Sequence, residues 1–241
     1  MHGRKTMATV ACVLALAARA LASDAAPAGD WRVVAADSRL RVLVFRAGLL
    51  GRLGHNHVVA HGALQGCARI AGNFAESRAQ LSLAVADFVV DDAADRQAAG
   101  ESFPVPVPAD DIEATRANML GPRLLDADEH PRIELAGVIA RGSWPQPDLR
   151  VTVAIAGGQR LLEFPVSLTL ADERLRASGT VNVTHEQLGL EPFTAALGTL
   201  RVSDSLVLRF ELAFERSASG CERALAVVED DGIALADDRA E

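Results

Sequence analysis

The sequence predicts a mainly β domain of about eight strands, closed as a barrel or stacked as a sandwich. Three observations carry this prediction. Apolar residues recur with period two, as in Leu40, Val42, Val44 and in Leu81, Leu83, Val85, which sorts side chains onto opposite sheet faces. Short turn signals such as Gly157-Gly158 and Asp172-Glu173 divide the alternating stretches. Only one segment shows helical spacing.

Taken in order, the first 22 residues read as a secretory signal. Arg4 and Lys5 precede the apolar run Met7 to Ala18, and Ala20-Leu21-Ala22 offers small residues for cleavage. The run is short of the ~20 residues that span a bilayer, so cleavage and a periplasmic or secreted mature chain are expected. Residues 23–216 then form one domain, since an apolar share of 49% is enough for one substantial core. Residues 217–241 read as an acidic, flexible tail.

Strands are predicted around 40–44, 57–71, 81–85, 131–141, 149–156, 160–170, 174–184 and 200–214. One helix follows Asp110, with Glu113 three residues on as a capping-box partner and Ile112, Arg116, Met119 and Leu120 at helical spacing. Gly121-Pro122 ends it. The preceding Pro104-Val105-Pro106-Val107-Pro108 cannot join a central ladder and reads as an extended loop.

Loss of the signal's three basic residues would take the net charge from −8 to about −11, which repels phosphate backbones and anionic membrane surfaces alike, so nucleic acid is not an expected partner. Cys67 and Cys221 survive cleavage of the signal, and whether they pair stays open at this point. No Gly-x-Ser-x-Gly elbow, phosphate-binding glycine loop or Cys-x-x-Cys is present, which points to binding rather than catalysis, with no cofactor. Paired acids such as Asp91-Asp92 read as solvated loop residues.

Several stretches together resemble the YceI-like family of exported lipocalin-like barrels. They are Asp37-Ser38 before Leu40, Val42 and Val44; Asn118-Met119-Leu120; Leu125-Asp126; His130-Pro131-Arg132-Ile133; Leu188-Gly189-Leu190 with Pro192-Phe193; and Asp204-Ser205-Leu206-Val207-Leu208. The resemblance spans roughly residues 31 to 215. It implies an eight-stranded antiparallel barrel with one packed helix, binding a long apolar chain such as a polyisoprenoid. The sequence departs from the family at Arg46, where a histidine commonly ends the first strand, and at His185-Glu186-Gln187-Leu188-Gly189.

An eight-stranded barrel either fills with its own side chains or holds one slender ligand. The inward set inferred from alternation is Leu40, Val42, Val44, Arg46, Leu81, Leu83, Val85, Val181, Val183, Leu206, Leu208 and Phe210, and with aromatics at 4% it leaves room for an isoprenoid-type lipid. Arg46 is expected inside the mouth, facing an acidic side chain or an anionic head group. The sharpest polar feature is His55-Asn56-His57-Val58-Val59-Ala60-His61. The three histidines share parity, but His61 lies about 20 Å along the strand from His55, too far to share a metal ion. His55 and His57 remain a candidate metal pair, with His130 or His185 as remote completions. A metal-binding protein or metalloenzyme on that pair, and a ligand-free interaction module, are the competing readings.

Overall fold

The computed structural model describes residues 25–104, 106–195, 200–218, 220, 221 and 225. The expected signal and its cleavage site, and the acidic stretch from residue 229, lie outside the described residues. Eight chain runs alternate up and down, several of them bent into two strands. The first is β1 (Gly29–Val33) with β2 (Arg39–Ala47), the second β3 (His57–His61) with β4 (Gln65–Ile70), and the third β5 (Arg78–Ala84) with β6 (Val89–Val90). Then follow β7 (Arg132–Arg141), β8 (Asp148–Ile155), β9 (Gly158–Pro165) with β10 (Ser167–Ala171), β11 (Arg174–Thr184), the short β12 (Thr194–Ala195) and finally β13 (Leu200–Arg216).

Every ladder is antiparallel. β13 is the hub: it pairs β2 and β1 along one edge and β11 along the other, which brings the last run back beside the first. β1 continues to β4, β5, β7, β8 and β9. As a hydrogen-bonded sheet the structure is not closed. The path ends at β9, and the circuit is completed by the chain itself, which passes through Val166 into β10 and so to β11. A seam without a ladder is left between β9 and the upper half of β11. The expected eight-stranded barrel is thus present as eight runs, though the bends raise the strand number to thirteen among the described residues.

The bends have local causes. Between β1 and β2 the buried Ser38 hydroxyl accepts from the Ala213 amide at 3.0 Å and donates to the Val34 carbonyl at 2.9 Å, replacing ladder bonds lost at the 3-10 turn Ala35–Asp37. Two tight hairpins use paired left-handed residues, Ala156-Gly157 and Asp172-Glu173, as two-residue turns between twisted strands require. The first turn therefore sits one residue earlier than the glycine pair suggested.

Among the described residues three α-helices stand where one was expected. α1 (Ala93–Ala99) is capped by Asp92, whose carboxylate accepts from the amides of Ala94 and Asp95. α2 (Ala109–Leu120) is the expected helix, but its N-cap is Pro108, and Asp110 lies in the first turn rather than capping. The capping box belongs instead to α3 (His185–Leu188), between Thr184 and Gln187. α1 follows β6 and α3 follows β11, while α2 comes after α1. α1 and Phe103 cover the outer face of β2 and β3, where Leu43 and Val58 are buried with Ala99.

At the opposite end Cys67 and Cys221 form a disulfide with a Cα–Cα distance of 5.9 Å. Asp30 binds Arg69 through both carboxylate oxygens and accepts from the Cys221 amide, while Arg216 lies over the buried Trp31 ring. Ordered packing thus runs past residue 216, with Cys221 and Leu225 buried beyond it. No helix among the described residues is long and apolar enough to cross a membrane.

Candidate functional site

The inner faces of the strands enclose a cavity of about 670 Å³, within the range of small-molecule sites. The register builds it: Val42 and Val44 on β2 face Leu208 and Leu206 on β13, and Leu208 in turn faces Val181 on β11. Of the twelve residues expected to point inward, Leu40, Val42, Val44, Arg46, Leu81, Leu83, Val181, Leu206, Leu208 and Phe210 line this cavity. Val85 and Val183 do not. Val85 begins a 3-10 turn that breaks the alternation of β5, and it is buried in the core without facing the open space. Val183 is likewise buried in the main core, among Leu188 and Leu206.

The inward set expected from the sequence left out β7, β8 and β9. Ile133, Leu135 and Gly137 on β7, Val151 and Val153 on β8, and Leu162 and Phe164 on β9 complete the wall. Each shows the same period-two signal in the sequence. Leu188 and Leu190, at and after α3, line the cavity as well.

Polar side chains gather at the upper end. Arg46 lines the cavity there, but its guanidinium donates to the Gly54 carbonyl at 2.8 Å and is exposed. Of the two partners expected for it, an acidic side chain or an anionic head group, the first is replaced by a backbone oxygen, because the loop after β2 folds back over the strand end. His55 and His57 also line the cavity, with ring centroids 6.3 Å apart.

The two imidazoles are engaged separately. His55 Nε2 lies 3.2 Å from Asp111 at the start of α2, whereas His57 Nδ1 lies 2.6 Å from Asp91. Among the described residues no three His, Cys, Asp or Glu side chains group to hold a metal ion. His130 packs against the Gly157 turn, and the buried His185 donates from Nδ1 to the Asp204 carbonyl at 2.9 Å.

Asp91 is the center of this end. Far from being solvated, it is fully buried and accepts from His57, from the Val58 amide at 2.9 Å and from Arg96 at 2.5 Å. Burial pushes its carboxyl upward, but the bonds from His57, Val58 and Arg96 outweigh that and hold it below the usual 3.8. With Nδ1 donating to Asp91, His57 presents Nε2 to the cavity, 3.5 Å from the Thr115 hydroxyl of α2. At that length the hydroxyl is only loosely held. The geometry offers an oriented hydrogen-bonding group at the mouth of an apolar chamber.

His61 plays a different part. It is fully buried, its Nε2 donates to the Ala84 carbonyl at 3.1 Å, and its ring meets Phe88 edge-on. Burial holds its pKa below the usual 6.5. The folded state therefore keeps it neutral where the unfolded chain would take a proton, so stability is full above 6.5 and declines as pH falls. Asp91 and Asp95, both held below 3.8, add a second decline at lower pH as they are protonated. Thermal melts should fall between about pH 7 and about pH 5 in the wild type and stay nearly flat there in His61→Phe. A flat wild-type profile would refute the assignment.

The sequence matches no protein-family profile and no curated protein. Solved structures do match. BcnA of Burkholderia cenocepacia aligns at a TM-score of 0.54 and 15% identity over 75% of this chain and 98% of that one. A polyisoprenoid-binding domain from Saccharophagus degradans, implicated in plant cell wall breakdown, aligns at 0.53 and 15% over 78% and 98%. A Campylobacter jejuni YceI protein is similar more loosely, at 0.46 and 10% over 66% and 85%. With its up-and-down run order, lateral helices and hollow interior, the chain has a YceI-like fold.

Proposed function

We propose that the protein binds one long apolar lipid chain, isoprenoid-like in shape, inside the barrel, and carries or sequesters it in the periplasm. The observation that carries this reading is the cavity itself: about 670 Å³ walled mostly by leucine, valine, isoleucine and phenylalanine, with Arg46, His55, His57 and Thr115 gathered at the mouth and Ser77 and Arg78 at the far end. A slender chain gains roughly 0.8 kcal/mol per buried methylene, so it needs few polar contacts along its length. The mouth would meet its head group. Similarity to the polyisoprenoid-binding domain supports the choice of ligand class. The Cys67–Cys221 disulfide supports an oxidising compartment, in keeping with the N-terminal signal.

Native mass spectrometry of protein purified from its own host tests the reading. A mass excess matching a single lipid, released as collision energy rises, is the expected result. Metal alone would favour the His55 and His57 reading, and bare protein the ligand-free module.

A further inference from the structure

The two most exposed large apolar side chains among the described residues, Leu49 and Leu53, lie together at the mouth. Leu49 is 89% exposed and Leu53 69%, with Leu50 at 37% between them. All three sit in the loop between β2 and β3, which is continuous with the cavity, since Leu53, Gly54 and His55 form part of its lining. Phe193, also exposed, lines the cavity too.

This loop is built to leave water. Its backbone closes on itself, the amides of Gly51, Leu53 and Gly54 donating to the carbonyls of Gly48, Leu50 and Gly51, so its tip carries fewer unsatisfied polar groups into an apolar layer. Its charge is also distinctive. In a protein of net charge −8, no acidic residue occurs between Asp37 and Glu76. Arg46 stands at the root of the loop, and Arg201, whose strand neighbour is Ala47, stands beside it. The acids of the rim belong to other elements: Asp111 is engaged with His55, and Glu191 precedes Phe193.

We propose that the loop docks the barrel mouth on an anionic phospholipid bilayer. Leu49, Leu50 and Leu53 enter the interfacial layer, and Arg46 and Arg201 face lipid phosphates. A lipid chain then passes between bilayer and cavity without exposure to water. This rests on the lipid-binding reading of the cavity, but docking is measured separately from it, because vesicle binding does not require an occupied cavity.

Co-sedimentation with vesicles of phosphatidylcholine, alone or mixed with phosphatidylglycerol, tests the proposal. The wild type should pellet with the mixed vesicles, less with phosphatidylcholine alone and less at high salt. Leu49→Asp/Leu50→Asp should lower the bound fraction roughly tenfold, and the milder Leu49→Ser/Leu50→Ser should lower it in the same direction. Leu170→Asp is the control, since Leu170 is 45% exposed but lies at the far end, before the Asp172-Glu173 turn. Wild-type protein left in the supernatant, or equal pelleting of both leucine variants, overturns the proposal. So does a concentration-dependent dimer that the same variants abolish, which would assign the loop to self-association.

Discussion

Asp91→Asn should lower the melting temperature by roughly 6–20 °C, because it leaves the Arg96 guanidinium, only 7% exposed, without a counter-charge. Breaking a buried ion pair from one side typically costs about 3–5 kcal/mol, and a domain of this size loses about 2–4 °C per kcal/mol. Asparagine is the informative substitution. Position 91 has a φ of 57°, which asparagine tolerates, so backbone strain is not added to the loss of charge. The amide keeps an oxygen for the Val58 amide but cannot serve His57 and Arg96 as a carboxylate does. Removing the cation as well, in Asp91→Asn/Arg96→Met, should restore more than half of the loss, since an apolar pair avoids the buried unpaired charge. A melting temperature of Asp91→Asn within about 2 °C of wild type would show that water or another group compensates Arg96.

Gly137→Phe should cut the copurified lipid at least several-fold while leaving the fold intact. Gly137 lies in the middle of β7 and lines the cavity, and a Cβ added there would meet only Val151 Cγ2, at an ordinary 3.6 Å. The ring would therefore extend into open space and occupy the path of a chain. Overpacking a filled core costs ~1–3 kcal/mol, whereas here an aromatic replaces a strand glycine and recovers some β propensity. Stability should change by less than about 1 kcal/mol. Unchanged lipid content with a steep fall in melting temperature would mean that the interior has no room for a ligand. Position 85, which alternation alone suggests for such a test, is unsuitable because Val85 opens a 3-10 turn and is buried away from the open space.

These two sites also show what the sequence could and could not reveal. The inward set of β2 and β13 was legible because an unbroken strand fixes side-chain direction by parity, and the barrel merely bends those strands together. Val85 failed because the 3-10 turn at 85–87 shifts the phase, and nothing in the residue types marks it. α1 was invisible for a different reason. Its sequence lacks an apolar stripe, and it is held instead by Asp95, which Arg39 and Arg41 bind from β2 more than fifty residues away. Asp91 was read as solvated because adjacent aspartates usually are. Its burial depends on His57 and Arg96, and only the fold brings that pair to one carboxylate. The disulfide could not be decided from spacing, since Cys67 and Cys221 meet only after the last run returns to the first.

That return has a kinetic consequence. Each neighbouring pair of runs from β3/β4 to β11 is joined by chain adjacent in sequence, but β1 reaches its other partner only at the far end of the domain, where Trp31, Arg32 and Val33 pair with Arg216, Glu215 and Phe214. Until the final strand has been synthesised, the opening strand presents an unpaired edge, and its closure entropy is that of nearly the whole domain. Folding of this chain should thus be limited by a single late closing event, and the bond between Cys67 and Cys221 can form only once that event has occurred.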